Sequence, residues 1–146
     1  MSCDYELWID VENNSEDTIV VCADHNNYNY FPSNGEVLPY TIRRGDVVVK
    51  PHTTSRVWSV ATGGEDYDDV FKIASIAIIS KDTLDKYGFD DVKANKRTLM
   101  VYDIRIEEWE ELFGKYIVPY PPQPWMKNIK MYPSYEEYWD NQNNNN

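Results

Sequence analysis

Phe71-Lys72-Ile73-Ala74-Ser75-Ile76-Ala77-Ile78-Ile79 is the stretch on which the reading of the chain turns. An apolar run of strand length, broken only by Lys72 and Ser75, predicts a central strand buried on both faces. Such a strand needs partners at its sides and cover above and below. The partners are legible on either side of it. Residues 5–11 alternate Tyr5, Leu7, Ile9 and Val11 against Glu6, Trp8 and Asp10, the period of two of a half-buried strand. Residues 18–22 are a β-branched run ending in Cys22, and Asn13 to Asp17 between the two has turn chemistry. That pair predicts a hairpin with a five-residue connection.

Residues 46–50 and 55–60 are two further β-branched runs separated by Pro51-His52-Thr53-Thr54, which suits a second hairpin or a corner between sheets. Residues 98–105 alternate Leu99, Val101 and Asp103 against Met100, Tyr102 and Ile104, a strand partly covered on both faces. Residues 115–118 read as a last strand. Asp82 is placed to cap a short helix over 83–87 that ends at Gly88, and 89–96 add another turn. Ile106, Trp109, Leu112 and Phe113 recur at three- and four-residue steps, marking a second short amphipathic helix over 106–113. Residues 24–44 and 61–69 are loops rich in Asn, Pro, Gly and carboxylates.

These elements predict a mainly β fold, an antiparallel β-sandwich with two short helices and a proline-rich C-terminal arm; an α+β layout is the alternative. The 146 residues suffice for one domain with a substantial core. We expect a single β-rich domain over 1–118 and an arm over 119–140 packed on it. Pro119, Pro121, Pro122, Pro124 and Pro133 argue against regular ladders in the arm, while its aromatic residues are too apolar for a free tail. Residues 141–146 have no hydrophobic content and are expected to be disordered.

Twenty-five acidic residues against fourteen basic ones give a net charge of −11. Binding to nucleic acid is built on clusters of Lys and Arg, so that partner is excluded in favour of basic proteins or cations. No apolar stretch approaches the ~20 residues of a membrane-spanning helix. Cys3 and Cys22, with His25 and His52, do not make the ligand set of a zinc site. The start, Met1-Ser2-Cys3, is consistent either with a chance cysteine or with the end of a lipoprotein signal whose leader Met1 replaces.

Three segments taken in order carry a resemblance. They are Cys3 followed by the strand and turn from Leu7 through Asn13-Asn14-Ser15 to Ile19, then Ile78-Ile79-Ser80-Lys81-Asp82-Thr83-Leu84-Asp85-Lys86-Tyr87 with Leu99 to Ile104. The third is Val118-Pro119-Tyr120-Pro121-Pro122 with Met126 to Pro133. Over most of residues 3–135 the chain resembles an abundant set of small, uncharacterised lipoproteins of the Bacteroidetes cell envelope. The resemblance implies lipid attachment at Cys3 and a periplasmic or surface location, and it brings no activity or catalytic residue. Two features depart from it: Val101 stands where Arg is usual, and the acidic aromatic tail over 135–140 runs further.

Glu65, Asp66, Asp68 and Asp69 crowd a Gly-containing loop, but they lack the alternating ligand positions of a calcium loop. Glu107, Glu108, Glu110 and Glu111 read as a solvated helix face. There is no phosphate loop, no Gly-x-Ser-x-Gly elbow and no His-Glu-x-x-His helix. No catalytic residue, cofactor or metal is therefore expected, and a metal-dependent hydrolase using residues 65–69 is the least supported class. Tyr28, Tyr30, Phe31 and Tyr40 lie in a polar loop, where they either pin the loop to the sandwich or form a binding surface. Trp125, Tyr135, Tyr138 and Trp139 of the arm are the other candidate partner-binding residues. The expected function is a non-enzymatic, envelope-associated binding protein; an acidic inhibitor or immunity partner for a basic toxin is the alternative.

Overall fold

The computed structural model describes residues 6–26, 47–61, 73–105 and 117–144. The readings made on Cys3, on the loop beyond residue 26, on residues 65–69 and on the helix over 106–113 lie outside them. Among the described residues, eight strands form two sheets. The small sheet holds β1 (Glu6–Asn13) between β4 (Thr53–Ala61) and β7 (Ile117–Tyr120). The large sheet runs β3 (Val47–Val49), β2 (Ile19–Asn26), β5 (Ile73–Ser80), β6 (Met100–Arg105), β8 (Lys130–Tyr132). All neighbours are antiparallel except β1 and β7, which run parallel.

The central apolar run is β5, in the middle of the large sheet between β2 and β6. Its two faces meet different partners. Ile76 and Ile78 share one core with Ile9 and Val11 of β1, Val118 and Tyr120 of β7, and Tyr102 and Ile104 of β6. Ala77 and Ile79, pointing the other way, pack with Cys22, Val101 and Val92. Cover on that second face comes from α1 (Lys81–Tyr87) and α2 (Phe89–Ala94), which bring Leu84 and Phe89 against the sheet. Each fully buried aliphatic side chain contributes about 1.5–3 kcal/mol, so a strand buried on both faces ties two layers to a third. The molecule is thus a mainly β sandwich of two sheets with a helical layer on the outside of the larger one.

The expected hairpin of the first two strands is corrected: β1 and β2 lie in different sheets, and the connection between them is an inter-sheet corner. The reason is visible in burial. Ile19, Val20, Val21 and Cys22 are all buried, as befits the middle layer, whereas β1 buries only alternate residues on one face of the outer sheet. The second connection, through Pro51 and His52, is likewise a corner, from β3 of the large sheet to β4 of the small one. The helix expected over 83–87 starts two residues earlier, with Ser80 in extended backbone as its cap and Asp82 in its first turn. Both sheets turn their corners at the same pole, where Asn13, Ile19, Val49, Thr53 and Ser80 gather. Glu6 and Ala61 mark the opposite pole.

After Val118 the chain is more regular than an extended arm. Pro119 sits within β7 opposite Glu12, tolerated because β7 is an edge of the small sheet among the described residues. A 3-10 turn (Pro124–Met126), β8 and α3 (Tyr135–Asn144) follow, and Met126, Ile129, Met131 and Tyr138 enter the central core. α3 continues to Asn144, four residues into the stretch expected to be disordered. The docking of Tyr138 and Trp139 anchors its first turns, and the exposed Asn-rich turns propagate from there.

Candidate functional site

The C-terminal candidates divide in two. Tyr138 is only 7% exposed; its ring meets Tyr120 edge-on at 6.1 Å and its hydroxyl bonds that of Tyr120 at 3.3 Å. It belongs to the core and is not presented to a partner. Trp139 stands edge-on to Tyr138 at 5.2 Å and to Tyr135 at 6.5 Å, and its indole N–H donates to the Pro122 carbonyl at 3.2 Å. Tyr135 carries the Lys127 ammonium 5.6 Å over its ring. Trp125, on the 3-10 turn, is the outward member of the set at 45% exposure. Tyr28, Tyr30, Phe31, Tyr40 and Cys3 lie outside the described residues.

Two further exposed aromatics, Tyr87 (40%) and Tyr132 (38%), were not singled out from the sequence. Tyr87 ends α1; the Arg97 guanidinium lies 4.0 Å over its ring and the Lys86 ammonium 5.1 Å from it. Tyr132 of β8 pairs with Val101, which puts it on the helical side of the large sheet, and the Lys96 ammonium lies 5.7 Å over it. Arg97 is held in place by Asp91, whose Oδ2 accepts from Nε at 2.8 Å, while Asp91 Oδ1 accepts from Asn95 Nδ2 at 2.7 Å. A concentration of five basic residues between 81 and 97, in a chain with only nine elsewhere, was the available signal.

On the same layer a cleft of about 380 Å³ opens between Val20 and Val48 of the sheet and Leu84, Gly88 and Phe89 of the helices. The ion pair of Lys81 with Asp85, 2.9 Å across one helical turn, forms part of its wall. Val48 is 43% exposed beside it. The cleft offers a mixed lining, apolar side chains of sheet and helix beside one neutralised charge pair.

Titratable groups perturbed from their usual range sit in the core. Burial pushes the Tyr102 hydroxyl well above the ordinary phenolic value, with the charges of ionised Tyr120 and Tyr138 pushing the same way. Burial also raises Tyr120 and Tyr138, and the Asp17 carboxylate adds to both. The Tyr102 hydroxyl donates to the Pro119 carbonyl at 3.0 Å, which fixes β7 of the small sheet to β6 of the large one. These phenols are structural protons rather than acid–base groups at neutral pH. Among the described residues no three His, Cys, Asp or Glu side chains gather to hold a metal. No protein family, no curated protein and no solved structure matches the chain.

Proposed function

We propose that the protein is a non-enzymatic binding protein of a bacterial envelope, anchored through Cys3. The observation that supports binding is the exposure of Tyr87, Trp125 and Tyr132 on elements fixed to the core. Large aromatic side chains on a rigid support bury much area at low entropic cost, which is what recognition surfaces use. Among the described residues no helix is long and apolar enough to cross a membrane, and attachment in this reading is by lipid at Cys3. A chain carrying Cys3→Ala is expected to lose incorporation of labelled fatty acid and to leave the membrane fraction.

The test of binding is capture from an envelope extract by the wild type and by a Tyr87→Ala, Trp125→Ala, Tyr132→Ala triple variant. A ligand retained by the first and lost by the second, with equal melting temperatures, supports the proposal; equal capture by both overturns it. The acidic inhibitor is kept as a second reading because α3 places Glu136, Glu137 and Asp140 near Tyr135 and Trp139, on a chain of net charge −11. Such a partner would be a basic protein whose association slows steeply with salt.

A further inference from the structure

We infer that the face built from Lys86, Tyr87, Lys96, Arg97 and Tyr132 binds an acidic glycan, a uronate-bearing or sulfated oligosaccharide. This rests on the binding function proposed above and names its ligand. The charge distribution is the first ground: residues 81–97 carry five basic and four acidic side chains, while the rest of the chain carries nine and twenty-one. The segment is thus net +1 within a chain of net −11, so an anion meets little repulsion from it.

Side-chain geometry is the second ground. Arg97 spends Nε on Asp91, and its terminal nitrogens make no hydrogen bond among the described residues. Its guanidinium is nevertheless fixed, stacked 4.0 Å over Tyr87. Lys86 and Lys96 make no ion pair among the described residues and lie over Tyr87 and Tyr132. Cations restrained on rings lose less freedom when they take a ligand. The remaining exposed ring surface suits the apolar C–H face of a pyranose, and the cations suit its carboxylate or sulfate. Alternating apolar faces and well-spaced anions are the repeat of an acidic glycan. A duplex nucleic acid, with a charge every ~1.7 Å, would run from this small patch onto the acidic remainder of the surface.

Position in the fold is the third ground. Arg97 lies three residues before the β6 end that shares a pole with Asn13 and Ser80, because Met100 pairs with Ile78 and Lys81 N–H donates to the Thr18 carbonyl at 3.0 Å. An anchor upstream of Glu6 leaves from the opposite pole, about 25 Å away along the eight residues of β1. The patch therefore lies on the flank of the sandwich, on the outer face of the large sheet, and is not at the strand end from which β1 begins.

The test titrates the full chain with oligogalacturonate, with neutral dextran oligosaccharide, with poly-glutamate and with anionic lipid vesicles. Oligogalacturonate alone is expected to bind, and a Lys96→Gln, Arg97→Gln variant is expected to bind it about tenfold more weakly at an unchanged melting temperature. Tyr87→Phe is expected to retain affinity and Tyr87→Ala to lose it, which separates ring stacking from charge. No binding of oligogalacturonate, equal binding by the charge variant, or tighter binding of poly-glutamate or vesicles overturns the assignment. Capture of a ligand through Trp125 by a chain that ignores oligogalacturonate would remove this glycan and leave the binding function standing.

Discussion

The side-chain amide of Asn13, the last residue of β1 in the small sheet, donates to the backbone carbonyl of Val49, the last residue of β3 in the large sheet, at 3.0 Å. The same nitrogen donates to the Asp17 carbonyl at 2.8 Å, while Oδ1 accepts from the Ser15 backbone and hydroxyl. The Asn13 carbonyl takes the His52 N–H at 2.7 Å. One fully buried amide thus closes both inter-sheet corners. Asn13→Ala strips the buried Val49 carbonyl of this donor and leaves the partly buried Asp17 carbonyl only the Ser15 hydroxyl, and Asn13→Asp sets a carboxylate against both; each is expected to cost about 2–4 kcal/mol. Urea unfolding measures it, and a loss below about 1 kcal/mol would show that solvent replaces the amide at the corner.

Alkaline pH should unfold the protein through its tyrosines. Tyr102, Tyr120 and Tyr138 have their pKa values raised in the folded state, chiefly by burial, so the fold binds their protons more tightly than the unfolded chain does. Stability from this source is complete below the unfolded value of about 10 and is lost as the pH climbs above it. Unfolding midpoints followed upward from pH 8 should fall beyond pH 10, with ionisation of Tyr102, Tyr120 and Tyr138 accompanying loss of structure. Tyr102→Phe should be about 1–2 kcal/mol less stable at neutral pH, since the Pro119 carbonyl loses its donor, yet decline less steeply in alkali. Ionisation of Tyr102, Tyr120 or Tyr138 itself before unfolding, monitored through the ring resonances of those three residues, would contradict this account.

The central strand was readable because burial on both faces writes an apolar run directly into the sequence, as Ile76 to Ile79 show. Partner choice was harder. Turn chemistry at Asn13 to Asp17 says that the chain reverses but not into which sheet it returns. The discriminating signal was the change from the alternation of β1 to the unbroken run of Ile19 to Cys22, which marks an outer and a middle layer. In the C-terminal segment the prolines masked two elements. Tyr135, Tyr138 and Trp139 have the three-and-four spacing of a helix face, and Met131 between polar neighbours has the alternation of a short edge strand. Of the candidate surface, Trp125 was legible as an aromatic outside any period. Tyr87 and Tyr132 were not, because their role depends on cations brought over them by the return of the chain at residues 95–99.

Gly88 joins α1 to α2 with φ 83° and ψ 159°, a conformation closed to other residues on backbone grounds. Its N–H donates to the Leu84 carbonyl at 2.9 Å and its carbonyl accepts from Val92 at 3.0 Å, so both helices depend on it. A Cβ there would meet no atom within 4 Å, which leaves strain as the sole penalty. Gly88→Ala is expected to cost about 1–3 kcal/mol. Since Val92 lies in the outer core cluster, amide exchange should rise in α2 and in the outward face of β5 before the sandwich core responds.

The two tryptophans of the C-terminal segment should separate stability from recognition. Trp125 stands 45% exposed on a short turn, so Trp125→Ala is expected to cost less stability than Trp139→Ala while weakening capture of a ligand. Trp139 braces Tyr138 and bonds the Pro122 carbonyl, so Trp139→Ala should cost about 1–2 kcal/mol through lost packing and one lost hydrogen bond. Ending the chain after Ser134 removes Tyr138 from the central core as well, and about 3–5 kcal/mol should go with it. A ten-residue helix has little stability in isolation, so α3 exists because these rings dock. If the truncated chain melted at the temperature of the full one, Tyr138 would not be part of the fold's core, and α3 would become available as a partner-binding element instead.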